Sequence, residues 1–199
     1  MEEKEKKLAE QRGIAPKEFT VAQDGIAIVV HPSNPVKELS LEQLRKIYTG
    51  AYTNWSQVGG PNLGIIVLSR ESSSGTYIFF QEHVLRKEDY AQTARLMPAT
   101  SAIIQSTAAD QGSIGYVGIG FATEAKDKVK IVNVKMDDKS VAVTPSEETV
   151  KSGAYPIARP LYLYTKGEPS GLSKGFIAFA LSQDGQKIVQ GTGYVTVNK

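Results

Sequence analysis

The sequence predicts an α/β fold, and three observations carry that expectation. Short apolar runs such as "IAIVV" at 26–30 and "IIVL" at 65–68 are apolar on both faces, as in strands of a sheet covered on both sides. Segments with helical spacing and cap chemistry lie between such runs, the clearest being "SLEQLRKIYTG" at 40–50. Turn residues, mainly Gly, Pro, Asn and Asp, punctuate the changes of pattern.

The elements follow in order. "EEKEKKLAEQRG" reads as the end of a helix, with Glu2–Lys6 and Glu3–Lys7 four apart in the favourable order and Gly13 as C-cap. "FTVAQDGIAIVVHP" reads as a strand in two segments bent near Asp24–Gly25. In "SLEQLRKIYTG", Ser40 is the N-cap, Gln43 completes a capping box, and Gly50 follows the end. "YTNWSQVGGPN" is a loop, and Trp55 in it is read as a packing residue. "GIIVLSR" is a buried strand ending at Ser69–Arg70, and "TYIFFQEHVL" a helix with Tyr77, Phe80 and Val84 on one side. A short helix "SAIIQSTAAD", a glycine-rich strand and turn "GSIGYVGIGFA", and a strand "VKIVNV" come next. "SEETVKSG" opens a helix with a capping box of Ser146 and Glu148 or Thr149, "ARPLYLYT" is a strand, and "LSKGFIAFALSQDGQKIVQGTG" is a helical pair broken at Asp184–Gly185. The apolar runs at 26–30 and 161–164 are candidate crossovers between two lobes.

Composition narrows the function. Hydrophobic residues make up 41% of the 199 positions, enough for a real core. A net charge of +2, with Lys and Arg scattered among Asp and Glu, argues against a dedicated nucleic-acid binder. The absence of cysteine excludes disulfides, thiolate nucleophiles and zinc–thiolate sites. No run of 18 apolar residues exists, and the charged start has no apolar stretch of a signal peptide.

The stretch "VLSRESSSGTYIFF" concentrates chemistry. A strand ends, a loop turns, and a helix begins. A helix start leaves N–H groups unpaired and carries partial positive charge, which makes it an anion site. Ser72, Ser73, Ser74 and Thr76 add hydroxyls, Gly75 lets the backbone come close, and Arg70 can grip an oxyanion with two parallel bonds. A serine-rich cap beside a surface arginine fits the same residues, and the residues alone leave both readings open. Other motifs are missing. No G-x-x-x-x-G-K-[ST] or G-x-S-x-G occurs, "GYVGIGF" matches a dinucleotide fingerprint only loosely, and His31 and His83 stand alone.

Six segments occur in a telling order: "DGIAIVVHPSNPV", "LSLEQLRKIYTGAYTNWSQVGG", "SRESSSGTYIFF", "GSIGYVG", "ARPLYLYT" and "FALSQDGQKIVQGTGYV". Together they resemble the phosphate-binding proteins of phosphate ABC transporters, which are class II periplasmic-type solute-binding proteins, over essentially the whole chain. The resemblance implies two α/β lobes joined by crossover strands, with a dehydrated phosphate held in the cleft between them. The family's R-x-x-x-S-G-T signature falls on Arg70, Ser74, Gly75 and Thr76. By resemblance, Arg70 is the cationic ligand, Ser74 and Thr76 give hydroxyl and backbone donors, and Gly75 gives a backbone N–H. Glu71, Ser72 and Ser73 stand in support of them. Many relatives carry Asp at the position of Ser72 to offset the arginine, so Glu71 is the carboxylate left here for that role.

The resemblance also implies a departure. Relatives begin with a strand, a helix start rich in Ser and Thr, and an aspartate that this chain does not show. The expected division is therefore 1–29 as a remnant of the first lobe and first crossover, 30–157 as a complete second lobe with the anion loop at 69–77, and 158–199 as the return crossover and the rest of the first lobe. The implied protein is not an enzyme. It needs no cofactor or metal, works in the periplasm or at the cell surface, and delivers inorganic phosphate to an ABC permease. A shortened first lobe is expected to leave Val21, Leu161 and Leu163 with fewer partners, to weaken binding, and to favour self-association. A binding-deficient scaffold or signalling relative of the same fold is the alternative. A serine hydrolase using Ser73 or Ser74 with His83 is a remote one.

Overall fold

A 15-residue strand, β1 (Pro16–Val30), organises the chain, and every residue of it from Asp24 onward is buried. The computed structural model describes Met1 and residues 3–197. Of the expected Glu2–Lys6 and Glu3–Lys7 pairs, Glu2 and the Glu3 side chain lie outside the described residues. β1 runs as one strand through Asp24 and Gly25, where two segments were expected. Gly25 serves packing instead, because a Cβ there would stand 2.7 Å from Val150 Cγ2.

The chain divides into two compact units, Met1–Asp24 with Arg159–Lys199, and Gly25–Ala158. The run at 26–30 lies within the second unit and the run at 161–164 within the first.

In the Gly25–Ala158 unit, β1 joins β2 (Glu38–Ser40), β3 (Ile66–Arg70), β4 (Arg95–Met97), β5 (Ser113–Gly118) and β6 (Lys130–Lys135) in the order β2-β6-β1-β5-β3-β4. β1 is antiparallel to β5 and β6, with Ile28 opposite both Tyr116 and Val132. The pairs β2–β6, β3–β5 and β3–β4 are parallel. The sheet is thus mixed. Because side chains alternate across a strand, Ala27, Val29, Leu68 and Val117 pack on one face with Ile103 and Ile104 of α4 (Thr100–Ala109) and Ala122 of α5 (Ile119–Glu124). Tyr116 points to the other face. There its ring lies 5.6 Å from Tyr48 of α2 (Leu41–Tyr48) and stacks at 4.2 Å on Phe80 of α3 (Gly75–His83). Leu44, Ile47 and Tyr48 of α2 are fully buried, and the two aliphatic side chains each contribute roughly 1.5–3 kcal/mol by leaving water.

The capping box of Ser40 and Gln43 forms as expected, with Gln43 N–H donating to Ser40 Oγ at 3.2 Å and Ser40 N–H to Gln43 Oε1 at 2.9 Å. Ser146 and Thr149 build a second box at α6 (Glu147–Lys151). The loop at 52–62 hides a 3-10 turn, Trp55–Val58, capped by Asn54 and Gln57. Trp55 is fully buried and donates its indole N–H to Gly112 O at 3.0 Å. β2 and β4, of three residues each, leave too little pattern to read, and the expected turn after "GSIGYVG" is the helix α5.

In the other unit, α1 (Glu3–Gln11) ends at Gly13, whose φ of 68° is left-handed, while Ile14 N–H closes on Ala9 O at 2.9 Å. β7 (Ala158–Lys166) pairs with β1. Arg159 donates from Nε and Nη2 to Asp24 Oδ2 at 3.1 and 3.0 Å, while burial pushes the Asp24 carboxyl up and the guanidinium pulls it back. The last helices are α7 (Gly171–Leu181) and α8 (Gln183–Gly191). Their break is at Ser182, not at Asp184–Gly185. Ser182 caps α8 by accepting from Gly185 N–H at 3.2 Å, so Asp184 and Gly185 form its first turn. Val21, Leu161 and Leu163 are half-buried; the large apolar exposure lies on α7 and α8 instead.

Gly185 is glycine for want of room. A Cβ there would collide with Phe179 O and stand 2.8 Å from Ala180 O, both backbone atoms of α7. Gly185→Ala should therefore cost about 2 kcal/mol or more, the scale of an overpacked core. Gly175→Ala, with open space on α7, should be neutral or stabilising by about 0.5–1 kcal/mol. Urea unfolding of the two variants checks the contrast; equal stabilities would refute it.

Candidate anion site at the end of strand β3

Val67, Leu68 and Ser69 are buried between β5 and β4, and the strand delivers Arg70 to its carboxyl end. In α/β sheets this is where ligands bind. The loop 71–74 then turns into α3. Ser74 is the N-cap and accepts from Thr76 N–H at 3.2 Å. That bond uses an acceptor site of the hydroxyl and leaves its proton to donate. Ser74 and Thr76 are half-buried, while Glu71, Ser72, Ser73 and Gly75 are exposed. Apart from its chain neighbours and the backbone of its own helix, no heavy atom stands within 4 Å of where a Gly75 Cβ would be. The first turns of α3 and α4 carry no acidic residue.

The Arg70 side chain reaches the start of α4. Nη1 donates to Thr100 Oγ1 at 3.2 Å and Nη2 to Pro98 O at 3.4 Å, whereas Nε is buried without a hydrogen-bond partner. Among the described residues no carboxylate pairs with it. Glu71 therefore does not take the offsetting role expected of it; its backbone N–H is tied to Met97 O at 3.3 Å. A guanidinium held by two neutral oxygens keeps its full charge for a ligand. Thr100 and Pro98 carry no mark of this role in the sequence, since they lie 30 and 28 residues from Arg70.

Beneath the loop, Ser69 Oγ lies 2.7 Å from Tyr116 Oη, which also receives Arg70 N–H at 3.3 Å. His83 occupies the far end of α3, tilted over Phe79 at 4.4 Å. The helix rise of about 1.5 Å per residue separates it from Ser73 and Ser74 by more than 10 Å, so no Ser–His pair forms. A groove of about 550 Å³ lined by Lys6, Glu10, Glu18 and Tyr164 shares no residue with this site.

A family model for the PBP superfamily domain matches residues 1–184. The chain belongs to the PBP superfamily. Among curated PBP relatives, it is similar to the phosphate-binding protein PstS of Staphylococcus haemolyticus, at 40% identity over 98% of the chain and 62% of that relative. It thus spans less than two thirds of that protein. Among solved structures, it is similar to a substrate-binding protein of Clostridium perfringens, assigned to a phosphate ABC transporter and solved with bound phosphate. That likeness has 33% identity, covers 100% of this chain and 76% of the other, and has a TM-score of 0.79. It is also similar to an ABC-type phosphate transport receptor from Vibrio cholerae, at 32% identity over 91% of this chain and 72% of the other, with a TM-score of 0.78.

The cap bond of Ser74 lies within the protein, so its worth can be read without an anion. Ser74→Ala should cost about 1 kcal/mol of stability in phosphate-free urea unfolding, and Ser74→Gly only a few tenths. A Ser74→Ala variant as stable as the parent would show that the cap bond contributes nothing.

Proposed function

We propose that this chain binds inorganic phosphate at the corner formed by Arg70, Ser74, Gly75 and Thr76, and presents it to an ABC permease in the periplasm or at the cell surface. The observation that carries the reading is Arg70. Its charge meets no carboxylate among the described residues, and it stands where β3 gives way to a helix start rich in hydroxyls. Ser72 and Ser73 enlarge the donor set from the exposed turn, and Glu71 remains at its edge. Relatives named as phosphate-binding proteins, and the related protein solved with phosphate, support the choice of ligand. No bond is made or broken. Donors replace the anion's water, and the protein acts as a carrier rather than an enzyme.

Isothermal titration with phosphate and sulfate tests the reading. The parent chain should bind phosphate. Arg70→Ala should lose on the order of 2–4 kcal/mol, the value of a charge-assisted contact whose partner is left unpaired. Absence of binding in the parent would favour a scaffold of the same fold, and unchanged affinity in the variant would remove Arg70 from the site.

A second reading concerns assembly. On α7, Leu172 is 95% exposed, Phe176 60% and Phe179 49%, and their spacing puts them on one helix face. Ile188 of α8 is 57% exposed. Such a stripe is what a second copy of the chain would cover. Light scattering should show association that rises with protein concentration, and Leu172→Glu with Phe176→Glu should abolish it. A parent that stays monomeric throughout would end this reading.

A further inference from the structure

Four oxygens beneath the anion loop form one connected path. Tyr90 Oη lies 3.0 Å from Tyr77 O and 3.1 Å from Tyr116 Oη, and Tyr116 Oη in turn meets Ser69 Oγ and Arg70 N–H. Counting protons fixes the direction. A backbone carbonyl only accepts, so the single proton of Tyr90 goes to Tyr77 O. Tyr90 oxygen then accepts from Tyr116, whose one proton is thereby used. Tyr116 oxygen accepts from Arg70 N–H, which can only donate, and the 2.7 Å contact with Ser69 takes the one proton of Ser69 in preference to the longer, 3.3 Å contact of that hydroxyl with Arg70 O. The path runs one way, from the end of β3 to the first turn of α3.

We infer that Tyr116 and Tyr90 are positioning residues that hold loop 70–77 at both ends, at Arg70 and at Tyr77, in the conformation that receives the anion. The inference rests on the reading of this corner as the phosphate site. The rings are themselves fixed. Tyr116 stacks on Phe80 at 4.2 Å with 11° between planes, and Tyr90 stacks on Tyr77 at 4.4 Å with 26°. Burial pushes both hydroxyls above their ordinary range, so they stay protonated donors. The same cluster supplies a control. Tyr48 is fully buried among these rings, and its hydroxyl has no hydrogen-bond partner. It shares the packing but not the path.

Tyr116→Phe, Tyr90→Phe and Tyr48→Phe in the full chain separate positioning from packing. Amide hydrogen exchange without anion should speed up about tenfold within 70–77 in the Tyr116 and Tyr90 variants, the effect of one lost hydrogen bond. It should stay at the parent rate in the rest of the unit, and everywhere in Tyr48→Phe. Phosphate titration should show affinity falling by about tenfold in Tyr116→Phe with Arg70 in place. Unchanged loop exchange, exchange that rises equally across the whole unit, or an unchanged affinity in Tyr116→Phe would each overturn the inference. A parent that binds no phosphate would overturn the functional reading instead, and loop exchange would still decide whether the tyrosines hold the loop.

Discussion

The five residues Ile26–Val30 have no side chain in contact with water, and their strand is paired on both edges, by β5 and by β6. Water can hydrate neither the backbone nor the side chains, so everything around the strand is obliged to cover it. Alternation then divides the work. Ala27 and Val29 need α4 and α5 on one face, while Ile28 shares the other with Tyr116, over which α2 and α3 lie. A cavity left at any of these positions would cost transfer energy and lost contacts together.

The corner proposed for the anion is a consequence of that cover. β5 sits between β1 and β3 and carries opposite residues to opposite faces. Gly115 lies against Ile103 of α4, close enough that a Cβ would collide with it, and the next residue, Tyr116, faces α3. The strand that seals the core on one face therefore delivers a hydroxyl to the root of the loop on the other. Arg70 and the start of α3 are placed by β3, which is parallel to β5 and so ends on the same side.

Local chemistry was legible in the sequence. The boxes at Ser40 and Ser146, the stop at Gly13, the buried strand ending at Arg70 and the hydroxyl-rich start of α3 are written in neighbouring residues. What was misread has a physical reason. Gly25 and Gly185 look like chain breakers, but both are glycine because another part of the molecule passes too close for a Cβ. Composition cannot distinguish a glycine that bends a chain from one that admits a neighbour. Tyr90, Pro98, Thr100 and Tyr116 meet the loop across 13 to 47 residues of chain, and no spacing rule spans such distances. The resemblance located the loop without showing what lies under it.

The chemistry of that support bears on the charge of the site. A carboxylate beneath Arg70 would fix the guanidinium firmly, yet it would cancel much of the attraction that an anion must feel. Hydroxyls and carbonyls hold by hydrogen bonds alone and leave the net charge at the loop unchanged. Thr100 and Pro98 do this for the guanidinium, and Ser69, Tyr116 and Tyr90 do it for the backbone. The cost is that one donor, Arg70 Nε, stays buried without a partner, worth about 1–3 kcal/mol for an unsatisfied group. A support built of neutral groups leaves the positive charge of Arg70 in place at the corner proposed for the anion.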